Sequence, residues 1–425
     1  MTGYLLAATP IHGHVGPLLR IGAYLVGRGH DVTMLTGHRF EDAVAGRGMR
    51  FLPLGGRADF DDREPDSYLP DRLRYRGIRR AQYEIRSIFI ETIPDQARAI
   101  ADAVSLLQPE AILVDGAFAG VLPMLSKPEP RPPVLGFGVT PLSQSDRDLA
   151  PYGMGLPPAR TRVDRVRYAA LGTVARKVLF RSVQRAAVRA VAESGARLHS
   201  SVMDASREFD LFLQTGPHGL EYPRHELSVN TRFVGVLPEE PAAAPLPDWW
   251  NDLDAGSPVV HVTQGTIDNQ DFGRLVRPTL DALADRDVLV VVSTGGRDPQ
   301  KLGRLPSNAR AGRYLPYGEL LPRTALVISN GGYGGVQAAL AHGVPLVVAG
   351  DTEDKPEVAA RIAWTGAGID LHTGTPDRAA IADAADAVLR QPEYRAAAQR
   401  IAVDIASHDT LAEIESALQT TKRRR

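Results

Sequence analysis

Short apolar runs alternate with helix-spaced segments along almost the whole chain. In the first half the runs are residues 4–8, 31–36, 111–114 and 134–138. Between the first two, Leu18, Leu19, Ile21, Leu25 and Val26 recur at the spacing of one helix face. Repeated strand–helix–strand units of this kind predict a parallel sheet with helices on both faces. The same rhythm restarts at residues 259–263, 288–294, 325–329 and 345–349. Pro238, Pro241, Pro245 and Pro247, with Ala242-Ala243-Ala244 among them, read as a linker over 238–250. The pattern therefore predicts two doubly wound α/β domains, 1–237 and 251–405. Ligands of such sheets bind outside the carboxyl ends of the strands, so the expected site is a cleft between the two domains.

Two segments break the rhythm. Residues 59–94 are arginine-rich, carry Pro65 and Pro70, and adjoin an amphipathic stretch over 85–93; residues 141–163 carry Pro151, Pro157 and Pro158. Insertions that follow strands lie at the carboxyl edge and contact ligands, the competing reading being a mobile surface loop.

A length of 425 residues agrees with two domains. A net charge of −1 offers no pull on nucleic acid or an anionic membrane, so neither is expected as a partner. The absence of cysteine removes disulfides, thiolate metal sites and thiol nucleophiles together. No apolar run approaches the roughly 20 residues that span a bilayer. Residues 4–9 are too short and lack the basic flank of a signal peptide, so the chain reads as cytoplasmic. The terminal Lys422–Arg425 run reads as a solvated end.

Candidate chemistry gathers after the strands. Ser329-Asn330-Gly331-Gly332-Tyr333-Gly334-Gly335 links an apolar run to a helix-like segment at 336–342, an arrangement that offers backbone N–H groups to a phosphate. Its plain alternative is a tight turn without a ligand. His12 follows the first strand and can act as a base near neutral pH. Asp115 ends the strand at 111–114, on the same edge, and is the best candidate to orient it. A turn histidine and a helix-capping aspartate are the alternatives. His14 would need a nearby carboxylate to complete a metal site, and none is evident, so no metal is expected. Neither G-x-G-x-x-G at the first turn, a phosphate-binding G-x-x-x-x-G-K-[ST], nor a G-x-S-x-G elbow occurs, which argues against nicotinamide or flavin enzymes, P-loop ATPases and serine hydrolases. Thr266 follows another strand, Tyr314 offers an aromatic face, and Asp351-Thr352-Glu353-Asp354 can accept hydrogen bonds from sugar hydroxyls.

Together these positions resemble the family-one glycosyltransferases of the GT-B fold, particularly actinobacterial enzymes that act on natural products. The resemblance rests on the segment from His12 to Pro17, on Gly331 to Gly335, on Ala341-His342-Gly343-Val344-Pro345 and on the acidic turn to Asp354. It implies two facing Rossmann-like domains, with residues 406–425 forming a helix that crosses back to the first. It also implies an inverting transfer from a nucleotide sugar, UDP-glucose first and a dTDP sugar second, onto a hydrophobic small molecule, with no permanently bound cofactor. His12 would be the base and Asp115 its partner. Thr266 would lie beside the phosphates, Tyr314 and Leu315 at the base, Asn330, Gly331, Gly332, Gly334 and Gly335 around the diphosphate, and Asp354 at the sugar. The family usually has histidine at Asn330, glutamate at Ala338 and an acid–glutamine pair at Asp354-Lys355; Gln337 or a backbone group is the candidate to replace the glutamate at the ribose. Phe60, Tyr68, Ile85, Phe89, Phe137 and Met154 are the expected acceptor contacts, suited to a polyketide or macrocycle. Arg72, Arg74, Arg76, Arg79 and Arg80 flank that surface and read as a solvated face, with contact to the acceptor as the alternative. The second-half motifs also resemble rifamycin-modifying glucosyltransferases. A nucleotide-sugar epimerase or a non-catalytic relative is the alternative, and the oligomer is expected to be a monomer or homodimer.

Overall fold

A computed structural model describes residues 2–128, 130–239, 246–266 and 268–421. Residues 240–245 of the expected linker and the Lys422–Arg425 run lie outside the described residues.

The first sheet has seven parallel strands: β1 (Gly3–Ala7), β2 (Asp31–Thr36), β3 (Arg50–Pro53), β4 (Ala111–Asp115), β5 (Val134–Gly138), β6 (Leu211–Gln214) and β7 (Thr231–Phe233), ordered β3-β2-β1-β4-β5-β6-β7. The second has six: β8 (Val259–Thr263), β9 (Leu289–Ser293), β10 (Ala309–Gly312), β11 (Thr324–Ser329), β12 (Leu346–Val348) and β13 (Gly368–Asp370), ordered β10-β9-β8-β11-β12-β13. In each sheet the order reverses between two neighbouring strands, β1 and β4 in one, β8 and β11 in the other. The chain leaves such a pair in opposite directions, which opens a crevice at their carboxyl ends.

Both faces of each sheet are covered, which explains the near-continuous apolar strands. Along β1, Tyr4 and Leu6 join a core with Leu18, Ile21 and Leu25 of the helix His12–Gly27, while Leu5 and Ala7 join another with Ile100, Ala103 and Phe118. Each such large side chain taken from water contributes about 1.5–3 kcal/mol. In the second sheet Val260, Val262, Leu326 and Ile328 pack under the helices Val276–Leu283 and Arg378–Arg390. Val327, Leu346 and Val348 pack under Tyr333–Ala341, Lys355–Thr365 and Pro392–Ala406. The last helix, Thr410–Thr420, inserts Ile414, Ala417 and Leu418 into the first sheet's core. Its Glu415 accepts a hydrogen bond from Tyr24 Oη (3.0 Å) and pairs with His30 Nε2 at 2.9 Å.

Side chains also bridge the two sheets' layers directly. Arg361, 1% exposed, donates to Glu221 Oε1 at 2.6 and 2.9 Å and to Glu357 Oε2 at 2.8 Å, with its guanidinium 4.3 Å from the Tyr222 ring centre. Glu357 Oε1 in turn accepts the backbone N–H groups of Gly153 and Gly155 at 2.9 and 3.0 Å. The irregular segment at 141–163 is thus tied to the helix that begins beside Asp354.

Candidate active site

The helix His12–Gly27 starts at the carboxyl end of β1, and its geometry separates the two histidines of its first turn. Successive helix residues rotate by about 100°, so positions 12 and 14 point to nearly opposite sides. His14 lies above Leu18, Ile21 and Leu25 on the face turned to the sheet, and its Nδ1 meets Asp115 Oδ1 at 2.8 Å. Asp115 is fully buried and also accepts the N–H groups of Thr9 and Ala117, each at 2.7 Å. The expected pairing of Asp115 with His12 is therefore corrected: the aspartate holds His14. His12 is exposed, its backbone N–H bonds Asp62 at 2.7 Å, and its ring has no hydrogen-bond partner among the described residues.

Burial by itself pulls the His14 pKa down, but the Asp115 charge and hydrogen bond, with contributions from Asp354 and Glu353, raise it overall. Those last two carboxylates follow β12, in the other sheet's layer. The dyad and the acidic turn therefore face each other closely enough to feel one another's charge. Reciprocally, Asp354 is pushed up to about 6, mainly by burial and then by Glu353, with Lys355 and His14 opposing. For His12 the direction is opposite, lowered by desolvation and then by the Arg39 charge.

Across the cleft, β11 runs into Asn330 and Gly331, and the helix Tyr333–Ala341 begins immediately after Gly332. Gly331 has φ +84°, and a Cβ there would meet Val348 Cγ1 at 2.8 Å, so glycine is required. Gly334 and Gly335, in the first helical turn, are exposed, and a Cβ on either would meet nothing within 4 Å. The first turn's unpaired N–H groups and the positive end of the helix dipole form a cradle suited to an anion. Asn330 is buried and its amide donates to Gln264 O at 2.7 Å, which joins the β8 and β11 turns. Tyr314 is exposed and lies against the bare backbone of Gly296, where a Cβ would strike its ring. Leu315 is buried with Trp250, Leu253 and Leu320, which leaves only its backbone to touch a ligand. Thr266 is exposed beside the β8 turn.

Comparison with known proteins points the same way. Residues 277–420 match the family described as erythromycin biosynthesis protein CIII-like, C-terminal domain. The chain is 39% identical to 4'-demethylrebeccamycin synthase of Lentzea aerocolonigenes over 96% of each chain. It is 32% identical to UDP-glucosyltransferase A1 of Starmerella bombicola, covering 98% of this chain and 91% of that one. This chain belongs to the family-one glycosyltransferases. The solved glycosyltransferase of kitacinnamycin shares the GT-B fold, with a TM-score of 0.72 over 99% of this chain and 98% of that one at 18% identity.

Within this glycosyltransferase the departures from the family pattern have structural consequences. Gln337, the candidate to stand in for the family's glutamate, is buried, and its amide reaches Thr215 Oγ1 at 3.4 Å, just beyond β6 of the first sheet. Tyr333 turns the same way and donates to Thr215 O at 2.9 Å. Lys355 Nζ donates to Thr352 Oγ1 at 3.1 Å and pairs with Glu353, so the lysine offsets part of the acidic turn's charge.

The expected acceptor contacts divide. Phe89 packs against His14, with ring centres 6.0 Å apart. Phe60 is buried and stacks on Tyr68 at 4.4 Å, whereas Ile85 packs with Ile90, Ile93 and Val183. Met154 is exposed on the loop held by Glu357. Phe137 is corrected outright: β5 is an inner strand, and this side chain is wholly buried in the core beneath the first helix. A cavity of about 860 Å³ lies instead between the 142–156 loop, the helix Arg162–Val174 and Tyr222, with Glu357 and Arg361 in its wall. Tyr152 lines it, and its phenol pKa is pushed well above the ordinary value by burial and then by the Asp354 and Glu357 charges. Its place in a Pro-rich loop gave no periodic signal from which this could be read.

Proposed function

We propose that this glycosyltransferase moves a hexose, glucose from UDP-glucose, with inversion onto a hydroxyl of a hydrophobic natural product such as a polyketide or macrocyclic antibiotic. The observation that carries the reading is the His14–Asp115 pair at the switch point of the first sheet, within electrostatic reach of Asp354. Asp115 fixes the tautomer with a proton on Nδ1, so Nε2 is the free base. Nε2 takes the acceptor's hydroxyl proton as that oxygen bonds to the anomeric carbon from the face opposite the diphosphate. The bond from that carbon to the phosphate oxygen breaks, and the nucleoside diphosphate leaves with the electron pair. Its charge is met by the N–H groups of the Tyr333–Ala341 helix start and by the Asn330 amide, while Tyr314 stacks on the base and Asp354 accepts from the sugar hydroxyls. The names of the Lentzea and Starmerella relatives agree with a natural-product acceptor and a UDP-glucose donor.

The test is incubation with UDP-glucose, or a dTDP sugar, and a panel of aglycones that includes rifamycins, without added metal. Mass spectrometry should find a one-hexose adduct with inverted anomeric configuration by NMR. A panel that yields only hydrolysed donor, or a retained configuration, would sink this reading.

A further inference from the structure

The helix Arg162–Val174 and the turn Ala175–Leu179 that continues it present an outer face of unusual composition. Val163, Val166, Val174 and Val178 are 77%, 71%, 48% and 66% exposed. At 100° per residue they fall on one stripe with Ala170, opposite the buried Tyr168 and Gly172. Valine is a poor helix former, and no described residue covers these side chains. Around them the charge has one sign: residues 160–189 hold nine arginines and lysines against a single carboxylate, Asp164. Asp164 is occupied as the reciprocal cap of the helix, bonding Thr161. Arg162, Arg167, Arg176, Lys177, Arg181 and Arg185 have no carboxylate within ion-pair distance among the described residues. A net charge of −1 for the whole chain conceals this face.

We propose that this valine–arginine face docks on an anionic lipid surface. An in-plane helix with aliphatic side chains between cations is the pattern that inserts shallowly between headgroups while pairing with their phosphates. Nucleic acid would not use the valines, and the stripe offers no aromatic ring for a base to stack on. The hydrogen bond from Gln82 Nε2 to Leu179 O, at 2.6 Å, fastens the helix Gly77–Ile85 alongside, and its exposed Ile78 and Arg79 extend the same chemistry. Val166 and Arg176 also line the 860 Å³ cavity, so the docking face is continuous with that cavity's rim. An apolar molecule dissolved in the bilayer would meet the cavity without crossing water.

The full chain should float with vesicles of phosphatidylcholine and phosphatidylglycerol at low salt, and not with phosphatidylcholine alone. Val174→Asp with Val178→Asp, and separately Arg162→Glu with Arg167→Glu and Lys177→Glu, should each weaken flotation at least about tenfold. Because the chain has no cysteine, Thr173→Cys gives a single labelling site on the face. An environment-sensitive dye there should shift to the blue with anionic vesicles, and the same dye on Ala255→Cys should not. Equal binding to neutral vesicles, no binding to either, or a label at position 173 that stays in water would each overturn the proposal, including in favour of an acidic protein partner. The label reads the otherwise unaltered face, so its outcome does not depend on the multiple variants folding.

Discussion

Asp115→Asn isolates the pair on which the proposed chemistry depends. The carboxylate accepts from Ala117 N and His14 Nδ1 through Oδ1, and from Thr9 N through Oδ2. An asparagine offers one acceptor and one donor to these three groups. With its oxygen toward Ala117 and His14, its NH2 faces the Thr9 N–H, and two buried donors collide. With its oxygen toward Thr9, the NH2 faces Nδ1, which must then accept, and the proton moves to Nε2, where it abolishes the base. Either way a buried group is left unpaired, at a cost of about 1–3 kcal/mol of stability. The second arrangement removes general-base catalysis, and a wrongly set tautomer lowers kcat on the order of 10³–10⁴-fold. That factor corresponds to about 4–5.5 kcal/mol of barrier. The pH profile supplies the sign. The raised pKa of His14 places the acidic limb of activity above the ordinary value of about 6.5, and loss of Asp115 should carry the limb downward. The same pairing stabilises the fold fully below about pH 6.5 and is lost as pH rises through the higher folded value. Steady-state kinetics over pH reads the catalytic loss and the acidic limb, UDP binding by calorimetry is the control, and urea unfolding over pH reads the stability change. A variant within tenfold of the parent kcat, with normal donor binding, would refute the role given to the pair.

The same contacts set four further outcomes. His14→Ala should lose at least about 10²–10⁴-fold in turnover while binding UDP normally, and His12→Ala should remain within a few fold of the parent, both read by product formation. Because burial raises the folded pKa of Asp354 to about 6, its ionisation should cost stability as pH rises from about 4 to 6, and Asp354→Asn should flatten that stretch of a melting-temperature profile. Asn330→Ala deletes the bond to Gln264 O that joins the β8 and β11 turns, and should weaken UDP binding about tenfold by calorimetry. Arg361→Met strands Glu221 and Glu357 as buried carboxylates, so urea unfolding should show a loss of about 3–5 kcal/mol at neutral pH.

The runs that form β1, β2, β4, β5, β8, β9, β11 and β12 are legible in the sequence because both sheet faces are buried and the apolar residues are consecutive. The edge strands β3, β7, β10 and β13 are not, since three or four residues, ending in Pro53 or Gly312 in two cases, are too short to establish a period. β6 is an inner strand, yet its run, Leu211-Phe212-Leu213, is no longer than those and lies amid irregular chain. The helix that follows the glycine turn is legible to within three residues at its start, which lies at Tyr333 because Gly334 and Gly335 are accepted into the first turn, where backbone N–H groups are free in any case.

The histidine is the instructive miss, because its signal is present in the sequence. The motif contains two imidazoles at the right sheet edge, and edge position alone cannot choose between them. Helical phase can. Leu18, Ile21 and Leu25 mark the face that meets the sheet, and counting back by four, seven and eleven residues from them reaches position 14 each time. Position 12 falls roughly 160° away, toward solvent. A strand-end aspartate buried at the sheet can be reached only from the sheet-facing side of the helix. Which histidine meets Asp115 is thus set by the same apolar periodicity that packs the first sheet, and a single residue inserted before Leu18 would turn His14 away from Asp115 without altering either side chain.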